Sequence, residues 1–134
     1  MKKVLFLAHH RLNRAPGQRY RFEQFFNYLN ENNFNCELAH LLSEKDDIVM
    51  YQKGNYRKKF LIGIRAYLKR FLKILRLRDY DLIVIFREVI PTRSIFFEKI
   101  FSKFDIPIIY DFDDAIWIKD VSDVNKKISF FKDE

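Results

Sequence analysis

The chain alternates short apolar runs with segments in which apolar residues recur every three or four positions. Each run is bounded by polar residues, and its short length favours a buried strand. In the last run Pro107 lies at the strand start, where a residue without an N–H group is tolerated. The predicted strands are Val4–Ala8, Cys36–Leu41, Leu82–Phe86 and Ile106–Phe112.

The periodic segments predict three amphipathic helices. The first ends at the asparagine-rich stretch Asn30–Asn35, and the second runs roughly from Tyr56 to Leu77. The apolar positions are Phe22, Phe25, Phe26 and Leu29 in the first helix, Phe60, Leu61, Ile64, Tyr67, Leu68, Phe71, Leu72 and Leu75 in the second, and Phe96, Phe97, Ile100, Phe101 and Phe104 in the third.

Strands and helices alternate along the chain, which is typical of an open α/β fold with a parallel sheet. We therefore predict a single Rossmann-like, doubly wound domain over residues 1–134, without an internal repeat or a linker. About twenty residues follow the fourth strand, whereas doubly wound domains usually carry five or six strands. The sequence thus also predicts a sheet that is cut short.

Composition supports a folded domain, since 49% of the 134 residues are apolar and 17% are aromatic. No apolar run approaches the length of a membrane span. The apolar start, Val4–Ala8, is too short for a secretory signal and leads directly into histidine and arginine. Cys36 is the single cysteine and has no internal disulfide partner. These features predict a reduced, cytoplasmic setting.

The net charge of +7 is concentrated in one part of the chain. Ten Lys or Arg and no Asp or Glu lie between Ile48 and Arg78. Since the whole chain has 25 basic and 18 acidic residues, the remainder has 15 basic residues against 18 acidic ones. This distribution disfavours a uniformly basic nucleic-acid-binding protein and assigns the excess charge to the second helix.

Ligands of open parallel sheets bind beyond the carboxyl ends of the strands. The first of the loops there has four arginines, two histidines and no acidic residue, and it enters a helix at Pro16-Gly17. Such a loop suits an anion such as phosphate, although a solvated basic loop is the alternative. It lacks the glycines of ATPase and dinucleotide fingerprints. The predicted rim loops are His9–Arg21, Arg87–Pro91 and Asp111–Trp117. With the strand order 3-2-1-4, the first and last would face each other.

Three carboxylates, Asp111, Asp113 and Asp114, follow the fourth predicted strand. Clustered carboxylates repel one another and are costly to bury. They therefore indicate acid–base work, contacts with hydroxyl groups or metal binding, while helix capping and turn formation would explain one or two of them. No Cys or His pairs occur at metal-ligand spacing, and the sequence predicts neither a metal site nor a cofactor.

Three segments in this order resemble bacterial family-4-like glycosyltransferases of the GT-B fold. They are Ala15-Pro16-Gly17-Gln18-Arg19-Tyr20-Arg21, Tyr80-Asp81-Leu82-Ile83-Val84-Ile85-Phe86-Arg87-Glu88 with Pro91, and Ile106-Pro107-Ile108-Ile109-Tyr110-Asp111-Phe112-Asp113-Asp114-Ala115-Ile116-Trp117. The resemblance implies the N-terminal, acceptor-side half of a metal-independent enzyme. The C-terminal half, which binds the nucleotide sugar, would be absent from this chain or supplied by a separate polypeptide.

The resemblance also implies roles for individual residues. The substrate-binding residues would be Gly17, Arg19, Arg21, Arg87 and Glu88. The catalytic group would comprise Asp111, Asp113 and Asp114. Of these, Asp111 or Asp113 would lie where many relatives have a His or Asp that contacts sugar hydroxyls.

The second helix is predicted to pack its apolar stripe on the sheet and to turn a basic face outward. Basic amphipathic helices are typical of membrane surfaces, and the alternative is a solvated charged face. The basic face lacks the interleaved aromatic residues of single-strand binders, so no nucleic acid is expected. The residues predicted to face an anionic membrane are Lys58, Arg65, Lys69, Arg70, Lys73 and Arg76.

Together these observations predict the acceptor-side domain of a glycosyltransferase that moves a sugar from a nucleotide sugar to a cell-envelope glycan or lipid-linked acceptor. It would be peripheral to the inner face of the cytoplasmic membrane and inactive without its second half. The alternative is a non-catalytic α/β binding module that uses the basic helix for membrane or nucleic-acid contact.

Overall fold

A computed structural model describes residues 1–92 and 94–112 of the chain. Within them the protein is an α/β domain built on a parallel four-stranded sheet. The strands are β1 (Lys2–Ala8), β2 (Phe34–His40), β3 (Leu82–Phe86) and β4 (Ile108–Asp111). The α-helices are α1 (Pro16–Arg21), α2 (Phe26–Glu31), α3 (Glu44–Tyr51), α4 (Tyr56–Ile74) and α5 (Phe96–Phe101), with short 3-10 helices at Glu23–Phe25 and Leu77–Asp79.

The strands lie in the order β2-β1-β3-β4. β1 pairs with β2 along its whole length, and the register joins Ala8 to His40 at the carboxyl end. At the same end, Phe86 of β3 pairs with Asp111 of β4. The order 3-2-1-4 considered from the sequence is therefore not the observed one. Because β1 lies between β2 and β3, the strand order reverses between β1 and β3, and the loops after these two strands flank the reversal.

Helices cover both faces of the sheet, which confirms the predicted α/β class with a parallel sheet. On one face Phe22, which directly follows α1, and Phe26 of α2 pack against Phe6, with ring centroids 5.0 and 4.9 Å from the Phe6 ring. On the other face α4 and α5 contribute Ala66 and Phe101 to the larger core. The central strands are buried on both sides because their side chains alternate between these two cores.

Helix α3 was not predicted from the apolar pattern. It begins at a capping box, in which the Ser43 hydroxyl accepts a hydrogen bond from the Asp46 N–H and the Asp46 carboxylate accepts one from the Ser43 N–H. Glu44, Asp46 and Asp47 fill its first turn, where acidic residues favour a helix. The start of this helix depends on polar groups rather than on an apolar stripe.

The orientation predicted for α4 is wrong. Lys59, Ile62, Ala66 and Arg70 form its buried side. The apolar residues expected against the sheet are instead exposed, with between 38% and 70% of the surface of each residue accessible to water. These residues are Phe60, Leu61, Ile64, Tyr67, Leu68, Phe71, Leu72 and Leu75.

Arg70 explains why the helix lies this way. Its guanidinium is buried and donates hydrogen bonds to the carbonyl oxygens of Ala8, Ala39 and Val89, at 2.8, 2.7 and 2.9 Å. These carbonyls belong to β1, to β2 and to the loop after β3, so one side chain joins three segments at the carboxyl rim of the sheet. Burial lowers the pKa of Arg70 to about 9, and the group stays protonated near neutral pH.

No helix in residues 1–92 and 94–112 combines the length and the apolar character that crossing a bilayer requires.

Candidate functional site

Arginines of the basic loop after β1 pair with Asp47 of α3. The Arg11 guanidinium lies 3.1 Å from the Asp47 carboxylate, and Arg14 donates a second hydrogen bond to the same oxygen. The His10 Nδ1 atom is 3.7 Å from the other carboxylate oxygen. Asp47 is only 4% exposed, so the two arginines compensate a buried negative charge.

Asp47 is held as a carboxylate by these arginines. Burial by itself opposes ionisation, but the hydrogen bonds from Arg14 and Arg11 outweigh it and lower the pKa of Asp47 below its ordinary value. Asp47 therefore pairs with two of the four arginines of the predicted anion-binding loop. Sequence reasoning missed Asp47 because it lies 33 positions from Arg14.

The pairing of Asp47 predicts an acid-sensitive contribution to stability. A lowered folded-state pKa stabilises the protein above the ordinary aspartate pKa of about 3.9, and this stabilisation is lost as pH falls through the folded-state value. Asp47→Asn should therefore be less stable than the parent protein near neutral pH, and the two stabilities should converge in acid. Urea unfolding as a function of pH measures this.

The matched control for Asp47→Asn is Glu44→Gln, because Glu44 contacts the same Arg11 but is exposed. Its unfolding curve should follow that of the parent protein at every pH. An equal loss in both variants would contradict the assignment of the effect to Asp47.

Gln18 and Glu23 fix the conformation of the same loop. Gln18 is buried in α1, and its amide donates to the carbonyl oxygen of His10 at 2.8 Å and also to the Glu23 carboxylate. The second oxygen of Glu23 accepts the Asn13 N–H at 2.8 Å. Neither residue was singled out from the sequence, since a lone Gln or Glu near a helix start carries no specific signal.

Arg21 and Asp111 form a bidentate ion pair across the rim. The Arg21 Nε atom donates to one carboxylate oxygen of Asp111 at 3.0 Å, and an Nη atom donates to the other. Arg21 is at the end of α1 and Asp111 at the end of β4, 90 positions apart along the chain. The structure thus brings together one residue from each of two separately predicted groups.

The loop after β3 contacts both neighbouring loops. Arg87 has a left-handed backbone with φ of 67°, and its N–H donates to the carbonyl oxygen of Asp111 at 2.8 Å. On the other side, the Nε2 atom of His9 lies 3.0 Å from the carbonyl oxygen of Glu88. Because a carbonyl oxygen can only accept, Nε2 carries the proton. The loops after β1, β3 and β4 therefore form one hydrogen-bonded rim.

The two histidines of the rim are neutral at physiological pH. Burial, reinforced by the nearby Arg70, lowers the pKa of His9 to about 3. Burial also lowers the pKa of His10, against the opposing effect of Asp47. An imidazole with so low a pKa is a weak proton acceptor, so His9 is suited to orienting the Glu88 carbonyl rather than to general-base catalysis.

The other residues predicted for the rim take no part in these hydrogen bonds between loops or lie outside the described part of the chain. Gly17 lies in the first turn of α1, and Arg19 is exposed with its guanidinium 5.6 Å from the centre of the Tyr20 ring. Asp113 and Asp114 lie outside the described residues. Across residues 1–92 and 94–112, His, Cys, Asp and Glu side chains do not gather in groups of three or more that could hold a metal ion.

The basic residues predicted to face a membrane mostly contact the protein itself. Lys69 donates to the carbonyl oxygen of Leu41 at 2.8 Å, and Lys73 donates to Glu37 at 2.6 Å. Arg65 pairs with Asp46, Arg76 pairs with Asp79, Arg70 is buried as described, and Lys58 is exposed. Lys69, Arg70 and Lys73 thus contact carbonyl and acidic groups of the protein, while Lys58, Arg65 and Arg76 keep exposed side chains. Contact of this face with a membrane stays a prediction.

Comparison of the chain with known protein families, with curated proteins and with solved structures finds no match. The fold and the rim define an α/β domain with a parallel sheet whose polar residues converge at the carboxyl ends of its strands.

Proposed function

We propose that this chain is the acceptor-side domain of a glycosyltransferase with two Rossmann-like domains. It would act at the inner face of the cytoplasmic membrane, on a cell-envelope glycan or a lipid-linked acceptor. The supporting observation is that Asp111 accepts hydrogen bonds both from Arg21 and from the backbone of Arg87. The described residues of the three segments that carry the glycosyltransferase resemblance thus lie together at the carboxyl edge of a parallel sheet, where ligands of such sheets bind.

The chemistry of this rim suits a sugar hydroxyl and a phosphate. In glycosyl transfer an acceptor hydroxyl attacks the anomeric carbon, while the bond to the nucleoside diphosphate breaks. The Asp111 carboxylate can accept a hydrogen bond from a hydroxyl, and its pairing with Arg21 fixes its orientation. Arg19 offers an exposed guanidinium to the diphosphate, whose developing charge requires positive groups. A donor-binding domain would form the opposite wall of the site.

Nucleotide-sugar binding by the isolated chain tests this proposal. We expect UDP-glucose or UDP-N-acetylglucosamine to shift the amide NMR signals of the loops after β1, β3 and β4. Because the rim would contact only the diphosphate, while the wall that binds the rest of the nucleotide sugar is absent, the binding should be weak, with a dissociation constant of about 1 mM. Arg21→Gln should weaken this binding by about tenfold, which corresponds to one lost charge-assisted hydrogen bond.

Uridine is the matched control ligand, because it has the same base and ribose but lacks the diphosphate and the sugar. It should leave the rim signals unchanged. Absence of shifts with both nucleotide sugars, or shifts confined to α4, would contradict the proposal and favour a non-catalytic α/β binding module.

A further inference from the structure

The exposed residues of α4 form one continuous apolar stripe. At about 100° per residue, the exposed set from Phe60 to Leu75 spans one side of the helix, and the buried set from Lys59 to Arg70 lies on the opposite side. At 1.5 Å per residue the stripe is about 22 Å long. Contiguous exposed apolar surface of this kind marks an interaction site rather than ordinary solvent-facing surface.

Rotation of the helix cannot remove this stripe from water. Arg70 is hydrogen-bonded to three carbonyl groups on the inner side, and Lys69 and Lys73 hold neighbouring turns through Leu41 and Glu37. Turning the apolar residues inward would break these hydrogen bonds and leave the carbonyl oxygens buried without these donors. The stripe is therefore a fixed outer surface of the domain, and it requires a partner outside the described residues.

Charge identifies the chemistry of that partner. Ten basic residues and no acidic residue lie between Ile48 and Arg78. On the helical wheel Lys58, Arg65 and Arg76 form a row along one edge of the stripe. Arg65 and Arg76 pair with Asp46 and Asp79, but their side chains stay 60% and 70% exposed, so they can still reach anionic groups. A second copy packed face to face would oppose these rows without a carboxylate from either helix. A bilayer with anionic lipids offers an apolar interior and a negative surface to the same helix.

We infer that α4 lies in the plane of an anionic bilayer, with its apolar stripe inserted at the boundary between headgroups and acyl chains. The row of Lys58, Arg65 and Arg76 lies at the level of the lipid phosphates. This inference rests on the proposed location at the membrane but not on glycosyl transfer. It differs from the sequence-based prediction because the apolar stripe provides the affinity, while the charges provide the preference for anionic lipid.

Vesicle sedimentation with a triple variant of the stripe tests the inference. Phe60→Ser, Leu68→Ser and Phe71→Ser replace side chains that are 67%, 56% and 53% exposed. Their combined loss should weaken binding to vesicles of equal parts phosphatidylcholine and phosphatidylglycerol by about a hundredfold. The thermal unfolding temperature should not fall, since these side chains contribute little to the core. Raised salt should weaken but not abolish binding of the parent protein.

A matched control also replaces three large, exposed side chains with serine, but on the other face of the sheet. The substitutions Tyr20→Ser, Phe25→Ser and Tyr28→Ser remove side chains that are 66%, 49% and 65% exposed. Vesicle binding by this variant should equal that of the parent protein. An equal loss in both triple variants would overturn the assignment to α4, as would complete release of the parent protein by salt.

Light scattering without lipid separates a bilayer from a second copy. A monomeric parent protein supports insertion of the stripe into a bilayer. The inference would be overturned if the parent protein were a dimer, the stripe substitutions made it monomeric, and vesicle binding stayed unchanged. The stripe variant retains the rim, so its NMR response to UDP-glucose should persist. If the parent protein does not bind vesicles but its rim signals still shift with UDP-glucose, only this inference is refuted. If the parent protein binds vesicles but its rim signals do not shift with UDP-glucose, only the proposed catalytic role is refuted.

Discussion

Arg70→Met should lower the free energy of unfolding by about 3–5 kcal/mol. The change removes charged hydrogen bonds to the carbonyl oxygens of Ala8, Ala39 and Val89, which lie at 2.8, 2.7 and 2.9 Å from the guanidinium. Methionine retains much of the apolar volume but has no donor, so the three carbonyls lose these partners. The loss exceeds the gain from no longer burying a charge. Urea denaturation followed by circular dichroism measures the difference.

Lys58→Met is the control for this prediction. Lys58 belongs to the same helix and carries the same charge, but it is exposed. Its replacement should change stability by no more than about 0.5 kcal/mol. Arg70→Lys should fall between the two, because an ammonium group cannot match the planar spread of a guanidinium over three acceptors. If Arg70→Met is as stable as Lys58→Met, then the guanidinium does not hold the rim together.

If the proposed glycosyl transfer is right, Asp111→Asn should lower kcat by about 10²–10⁴-fold in the enzyme assembled with its proposed donor-binding domain. The amide keeps the size of the side chain but loses the negative charge that pairs with Arg21 and accepts from a sugar hydroxyl. An interaction that strengthens in the transition state affects kcat more than KM. Steady-state kinetics with varied acceptor concentration separate the two parameters.

Asp105→Asn provides the same chemical change away from the rim, at an exposed position before β4. It should leave kcat unchanged. Thermal unfolding of both variants shows whether the loss in Asp111→Asn is chemical or structural. Near-normal turnover of Asp111→Asn in a folded protein would assign this carboxylate to turn and rim geometry only. Arg21→Gln, which removes the partner of Asp111, should reduce kcat less than Asp111→Asn does.

Local sequence patterns were sufficient to predict the strands. The apolar runs at Leu82–Phe86 and Val4–Ala8 match buried strands of the sheet, because a short apolar segment needs cover on both faces and a parallel sheet provides it. The alternation with helices then determined the α/β class. Local information also placed the loops of His9 and Asp111 at the carboxyl ends of strands.

The amphipathic pattern of α4 was detected correctly from the sequence, but the side that faces the sheet was not. An apolar stripe is normally buried, and this rule gave the opposite orientation to the observed one. Burying Arg70 instead of the apolar stripe is favourable only because three backbone carbonyl oxygens lie close enough together to accept hydrogen bonds from its guanidinium. Their convergence depends on how β1, β2 and the loop after β3 lie relative to one another.

The sequence alone thus determined the four strands, the extent of the long helix α4, the parallel α/β class and the concentration of charged residues in the rim loops, because each depends on neighbours a few positions apart. Tertiary structure decided the strand order, the pairing of Arg21 with Asp111, the compensation of Arg14 by Asp47, and the outward direction of the apolar stripe. These ion pairs join residues 90 and 33 positions apart, and their energies depend on burial and distance. Neither quantity exists until the chain is folded.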